Sequence, residues 1–498
     1  MLFTTAPFLL LFLPITLAGF FVIGHHSRTG AAAWLFLASM FFYAWWMPVF
    51  MWLLLASICV NFCIGLRISR IVSAGSAMPG RAGARRWLTA GLVANLALLA
   101  YFKYANFFVG NINLALGTQW QIGHVILPIG ISFYSFTQIA FLVDTYRAKA
   151  QEYKLIHYGL FVSYFPHLIA GPVLHHSQMM PQFANAAICR FSGANFSAGL
   201  AIFAIGLLKK VVLADGIAPF ADAVFRPADL GQFPDFQEAW LATLAYTFQL
   251  YFDFSGYSDM AIGLSWMFNI RLPFNFDSPY RATNISDFWR RWHMSLSNFL
   301  RDYLYIALGG NRRGAVRRYA NLAATMLLGG LWHGANWSFV VWGGLHGLYL
   351  MAHHAFRAVC GAALCARLDR SRLFALVGWG LTMLAAMLAW VFFRAETLAG
   401  AGRMLSAMAS LHGGQTAHPL LWNVGLHAST GAVWCLVLAA VAVSAPNSNR
   451  VGTQLQWWAQ SGRFARGLIG GMATAAVSLL LVINTTRDAV SAFIYFNF

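Results

Sequence analysis

The sequence predicts an all-α, polytopic integral membrane protein, and three observations carry that prediction. Hydrophobic residues make up 59% of the 498-residue chain and charged residues 10%, against the roughly 25% charged residues of soluble domains. Apolar runs near the roughly 20 residues needed to cross a bilayer core recur from end to end, giving room for about ten or more spans in one membrane domain, 1–498. Basic residues sit between these runs, with a net charge of +18 and no acidic residue before Asp144.

The opening stretch, 2–23, lacks a basic n-region and meets His25, His26 and Arg28 beyond it. It reads as a first span, not a cleaved signal peptide. Further N-terminal spans are expected near 31–47, 49–66, 87–109 and 125–144, with a tight turn at Trp46, Met47 and Pro48. The loop 67–86 carries Arg67, Arg70, Arg81, Arg85 and Arg86 and no acid, so the positive-inside rule assigns it to the cytoplasm. Counting back from it puts the N-terminus outside. Two further loops agree: 110–124 has no Lys, Arg, Asp or Glu and falls outside, while the next, with Arg147, Lys149 and Lys154, falls inside. In such a chain Lys and Arg report topology and contact with anionic membrane lipids. No nucleic-acid partner is expected.

The middle of the chain, 126–350, differs in composition. Ten of the fifteen acidic residues lie between Asp215 and Asp302, and irregular backbone at membrane depth must be satisfied by protein or a water-filled cavity. The broken stretch 165–172, Phe-Pro-His-Leu-Ile-Ala-Gly-Pro, predicts a re-entrant element. Asn284, Ser286 and Asp287 mark a helix start, and 284–305 then reads as one amphipathic interfacial helix. Its wheel puts Trp289, Trp292, Leu296 and Leu300 on one face, Arg290, Arg291 and Arg301 on the other, and His293 on the apolar side. Basic segments at 312–318 and 357–372 read as cytoplasmic, and C-terminal spans are expected near 373–393, 428–445 and 466–484 within 373–498.

Two histidines stand out chemically. His333 lies in an apolar stretch running from about 322 to 350, where an ionisable group is costly and points to function. A neutral imidazole suits general-base work near neutral pH, and the neighbouring glycines allow close approach. The bland alternative is a helix-packing hydrogen bond, and His346, thirteen residues on, reads as a decoy of that kind. For His293, a hydrogen-bonded core histidine competes evenly with a functional one. The pairs His25/His26, His175/His176 and His353/His354 invite a metal reading. Adjacent side chains diverge, however, and no ligand spacing completes a site, so no metal is expected. The six cysteines form no CxxC pair. Nucleotide-binding loops, a nucleophile elbow and zinc-protease motifs are all missing from the sequence.

Several order-preserving stretches resemble the membrane-bound O-acyltransferase family, in its alginate O-acetylase branch. They are 130–136 (Gly-Ile-Ser-Phe-Tyr-Ser-Phe) on to Tyr146 and Arg147, 165–172, and 251–261 (Tyr-Phe-Asp-Phe-Ser-Gly-Tyr-Ser-Asp-Met-Ala). The series continues with 287–297 (Asp-Phe-Trp-Arg-Arg-Trp-His-Met-Ser-Leu-Ser), 308–312 (Leu-Gly-Gly-Asn-Arg), Trp332-His333-Gly334, and 493–496. The D-alanyl-transfer protein of teichoic acid synthesis is similar in the His293 motif. The resemblance implies a bundle of about 11–13 transmembrane or re-entrant helices around a tunnel in a bacterial inner membrane. It makes His333 the essential histidine and His293 a second active-site histidine.

Acetyl-CoA is the donor the resemblance implies, as a substrate and not a permanently bound cofactor. Acetyl would pass to an extracytoplasmic polysaccharide, alginate-type first and cellulose or peptidoglycan after it, through a partner acyltransferase with a serine nucleophile. Arg290, Arg291, Arg312, Arg313, Arg317 and Arg318 are candidates to pair the CoA phosphates, with plain topology determinants as the alternative for each. Asp253 and Asp259 are candidates to line the tunnel or orient a histidine, and Trp332 and Asn336 to support His333. The rival class is a solute or polysaccharide transporter, which would also use broken helices and buried polar groups, but no inverted repeat is visible.

Overall fold

A computed structural model describes residues 1–74, 78–123, 125–168, 171–411, 420–486 and 493–494, and every element among them is helical. In chain order the helices are α1 Leu13–His26, α2 Arg28–Ala44, α3 Pro48–Ser73, α4 Met78–Leu99, α5 Ala105–Leu116, α6 Ile131–Tyr146 and α7 Leu155–Ser163. Two four-residue helices follow, α8 Phe165–Leu168 and α9 His176–Met179. Then come α10 Gly193–Leu208, α11 Asp215–Asp229, α12 Phe236–Met267, α13 Ile285–Arg291, α14 Met294–Phe299, α15 Gly314–His333 and α16 Trp337–Asp369. The chain closes with α17 Arg372–Arg394, α18 Leu398–Met408, α19 Ala428–Ser444, α20 Ser448–Ser461 and α21 Arg463–Thr485. Among the described residues seven helices are long and apolar enough to cross a membrane, or eight on the broader count. The count is shorter than the sequence suggests because helices such as α6, at the expected span 125–144, have only 16 residues, short of the roughly 17 or more that a crossing needs.

Several expected boundaries move. Arg67 and Arg70 belong to α3 and Arg85 and Arg86 to α4, so the basic loop is mostly helix that projects past its apolar run. The expected outer loop begins inside α5, which continues to Leu116 and stops where Gly117 turns left-handed at φ 66°. The apolar stretch 322–350 is two helices, parted at Gly334. The predicted break at 165–172 is present as far as it is described: α7 stops at Ser163, α8 lasts one turn, and Phe165, Pro166, His167 and Leu168 are all buried. Ile169, Ala170, Tyr495 and Phe496 lie outside the described residues.

Contacts group the helices into two units. One gathers Met1–Leu207, Tyr257–Phe274 and Ser448–Phe496. Within it, Asn61 on α3 and Asn95 on α4 are buried and bond reciprocally through their amides, at 2.6 and 3.4 Å. This satisfies polar groups that apolar surroundings would otherwise penalise. Gly199 on α10 and Gly263 on α12 face each other so closely that a Cβ on either would lie within 3.0 Å of the other's carbonyl oxygen. Small residues at a crossing are how helices gain packing contact in lipid.

The other unit gathers Leu208–Gly256 and Asn275–Asn447, and it holds both singled-out histidines. Its centre is the α15–α16 hairpin. A Cβ at Gly330 would meet the carbonyl oxygen of Phe339, and one at Gly343 that of Met326, in both cases well inside 3.0 Å. The two helices therefore touch backbone to backbone.

Candidate active site

His333 is the last residue of α15, and the turn after it is built by its neighbours. Gly334 is extended at φ −163°, and a Cβ there would enter the ring of Phe339. Asn336 caps α16 by accepting from the amide of Ser338 at 2.9 Å, while its own amide donates to the carbonyl of Glu396 at 2.8 Å. Asn336 thus holds the turn rather than adding a reactive group, and the His333 ring is left facing inward, 3% exposed. Trp332 lies edge-on to it at 5.0 Å between ring centroids, Trp342 at 5.0 Å and Phe393 at 5.2 Å.

The expected continuous helix 284–305 is not observed. It breaks into α13 and α14 at Trp292 and His293, and the last stretch, Leu300–Tyr305, widens into a turn of π-helix. His293 itself adopts left-handed backbone, φ 42° and ψ 54°, a conformation costing about 1–3 kcal/mol for a non-glycine residue and held only where its surroundings impose it. They do so here. The segment before it pairs on both sides of the break: the amide of Asp277 donates to the carbonyl of Arg291 at 2.9 Å, and that of Met294 to Asn275 at 2.9 Å. The Asn275 side chain also accepts from the Ser295 hydroxyl at 2.9 Å. His293 therefore occupies no position on a helical wheel, yet its ring is fully buried. Phe254 packs edge-on at 4.7 Å.

The two imidazoles meet. Their centroids lie 6.4 Å apart at 53°, with Trp332 beside both, 6.2 Å from His293. Rings at this separation can converge on one reacting centre about 3 Å from each.

Both candidate carboxylates have partners of their own. Asp253 is drawn into a buried ion pair with Lys210 at 2.5 Å, and Lys210 also holds Asp215 at 2.9 Å. It is the next residue, Phe254, that reaches His293. Asp259 belongs to the other unit, where it accepts from the Ser448 hydroxyl at 3.0 Å. Among the arginines, Arg291 pairs with Asp287 at 2.9 Å and Asp277 at 3.7 Å. Arg290, Arg312, Arg313 and Arg317 are exposed and Arg318 is half-buried over the ring of Tyr319. Gly309, Gly310 and Gly314, all at positive φ, shape the turn that carries Arg312 and Arg313.

Sequence reasoning missed the aromatic box around His333. Trp342 touches His333 on one side and His346 on the other, the latter at 4.8 Å. Trp390 stacks on Trp342 at 5.8 Å. His346 is fully buried among Phe288, Trp289, Trp342 and Trp390, and neither ring nitrogen has a hydrogen-bond partner among the described residues. Its spacing of four from Trp342 on one helix was the available signal.

The family model described as MBOAT, membrane-bound O-acyltransferase family, matches residues 83–393. A peptidoglycan O-acetyltransferase from Helicobacter pylori is 39% identical over 100% of this chain and 98% of its own length. Probable alginate O-acetylases are 45% identical in Azotobacter vinelandii, over 82% of this chain and 78% of the relative, and 41% identical in Pseudomonas putida, over the whole of both. A teichoic acid D-alanyltransferase from Bacillus subtilis is 27% identical over 46% of this chain and 59% of its own length.

Proposed function

Because this chain belongs to the membrane-bound O-acyltransferase family, and so is a multi-pass membrane acyltransferase, we propose that it moves acetyl from cytoplasmic acetyl-CoA towards an extracytoplasmic polysaccharide, with His333 as general base. The observation that carries this reading is the convergence of two buried imidazoles, His333 and His293, in an aromatic enclosure. The relatives named for alginate and for peptidoglycan acetylation support a cell-envelope polysaccharide as the final acceptor, and the alginate type is the reading adopted.

In this scheme a hydroxyl of the acceptor gives its proton to His333 as its oxygen attacks the thioester carbonyl carbon. The carbon–sulfur bond then breaks, and the proton returns from the imidazolium to the leaving CoA thiolate, so His333 ends neutral. His293 faces the same centre and holds the developing oxyanion by donating a ring N–H. General acid–base catalysis of this kind contributes about 10² to 10⁴ in rate. Exclusion of water by Trp332, Trp342 and Phe393 strengthens each electrostatic contact.

The immediate acceptor is the serine of a partner acyltransferase outside the membrane. Exposed Arg290, Arg312, Arg313 and Arg317 are free to meet the CoA phosphates, whereas Arg291 is committed to Asp287 and Asp277. The basic loops then lie in the cytoplasm and the N-terminus outside the inner membrane. The test is transfer of labelled acetyl from acetyl-CoA to membrane-associated acceptor, with the partner present. Transfer that needs the chain supports the reading, and the lack of both transfer and CoA binding refutes it.

A further inference from the structure

We propose that a polar cavity in the first unit, outside the histidine site, binds a phosphate ester, the headgroup of an anionic phospholipid. The cavity has a volume of about 740 Å3 and is lined by residues within 182–195, Asn269 and residues within 459–466. Arg190 and Arg466 both line it, and no acidic side chain does. Neither guanidinium, nor that of neighbouring Arg271, forms an ion pair among the described residues.

Its walls are built, not incidental. Asn195 accepts from Gln456 at 2.7 Å and from Arg271 at 3.4 Å, and donates to the Asn269 side chain at 2.8 Å. Asn269, itself left-handed at φ 60°, donates to the carbonyls of Ile188 and Arg190 at 3.0 and 2.8 Å. Arg271 is clamped over Trp266 at 3.7 Å. This network occupies the amides internally and leaves Arg190 and Arg466 as the cationic donors facing the space. Guanidinium matches a phosphate with paired N–H donors.

The surroundings select a lipid as the source of that phosphate. The cavity lies where α10 and α21 begin, and α21 is one of the spanning helices. Phe191 is exposed in its lining, and Trp457, Trp458 and Phe464, close to the lining residues in sequence, are exposed as well, as aromatic side chains are at a membrane–water interface. On its other face, turned away from Arg466 at 100° per residue, α21 exposes Leu468, Met472, Leu479 and Val482, an apolar stripe suited to lipid. A headgroup in the cavity would sit where a lipid-facing helix begins. This use absorbs part of the +18 charge that acyl transfer leaves unexplained.

The test uses purified, delipidated full-length protein in neutral detergent and measures retained phosphatidylglycerol against phosphatidylcholine by native mass spectrometry. The parental protein should prefer phosphatidylglycerol. A basic residue near anionic lipid contributes about fivefold in affinity, so Arg190→Gln or Arg466→Gln should each lose about fivefold and the double variant roughly 25-fold. Arg367→Gln, at an exposed arginine outside the cavity and made as a control, should lose none at this site. Equal retention of the two lipids, or parental retention by the double variant, would overturn the proposal. So would displacement of phosphatidylglycerol by millimolar inorganic phosphate or CoA, which would mark a site for a soluble phosphate. Because acyl transfer is not measured, failure here leaves the histidine site untouched.

Discussion

Replacing Gly343 by Ala probes the geometry of the histidine site without touching a reactive group. The added Cβ would sit inside 3.0 Å of the Met326 carbonyl oxygen and 3.1 Å from the Cα of Gly330, both backbone atoms of α15, where ordinary contact begins at 3.4 Å. Backbone cannot rotate away as a side chain tip can, so α15 and α16 must part by several tenths of an ångström or more. Overpacking of this kind costs about 1–3 kcal/mol. The same displacement moves His333, on α15, away from Trp342, on α16, and an error of about 1 Å in a catalytic position can cost about 10²-fold in rate. Gly344→Ala is the matched control, since its Cβ would meet only the Leu327 side chain, at 3.5 Å. Both variants would be assayed for labelled acetyl transfer and for melting in detergent. Gly343→Ala should lower both, and Gly344→Ala neither. Parental activity and melting in Gly343→Ala would show that the hairpin is not the frame that holds His333.

Three further outcomes are expected. His346→Phe removes a buried imidazole whose nitrogens lack hydrogen-bond partners among the described residues, so it should raise stability by about 1 kcal/mol and leave acetyl transfer near parental; a loss as deep as that of a His333 variant would instead make His346 part of the chemistry. Lys210→Met strands Asp215 and Asp253 together in a buried site and should destabilise by about 3–5 kcal/mol, more than Asp253→Asn, which keeps one ion pair; melting temperatures of the two variants decide the order. In the basic loop after α6, burial raises the affinity of Glu152 for its proton, but hydrogen bonds from His157, His176 and the Lys154 amide outweigh this and hold the carboxyl below its ordinary range. A depressed carboxyl stabilises the fold above its unfolded value of about 4.3 and loses that contribution as pH falls through the folded value. Glu152→Gln should therefore lower the melting temperature at pH 7 and have progressively less effect below about pH 4, and an effect that grows in acid would contradict the assignment.

Much of this was legible in the sequence for identifiable reasons. Hydropathy and the missing acids mark the membrane because lipid tolerates few charges, and His333 stands out because it interrupts an apolar run. Helix ends were less legible where the chain stays helical past its apolar segment, as at Arg67 and Arg70. The break at His293 has no local signal, since neither Gly nor Pro marks it and Asn275 and Asp277, far back in sequence, impose it through backbone pairing. The same holds for Asp253. Nothing in its sequence neighbourhood shows the ion pair that its carboxylate makes with Lys210, more than forty residues earlier. The box of Trp342, Trp390 and Phe393 depends on helices meeting in space, so composition shows its parts and not its assembly.

The proposed role of His333 is to take the proton of the acceptor. The most direct measurement compares acetyl transfer by parental protein and His333→Ala, with equal membrane abundance and melting established first. A loss of at least about 10²-fold is expected, with the fold and CoA binding retained. Transfer at the parental rate by His333→Ala would contradict it.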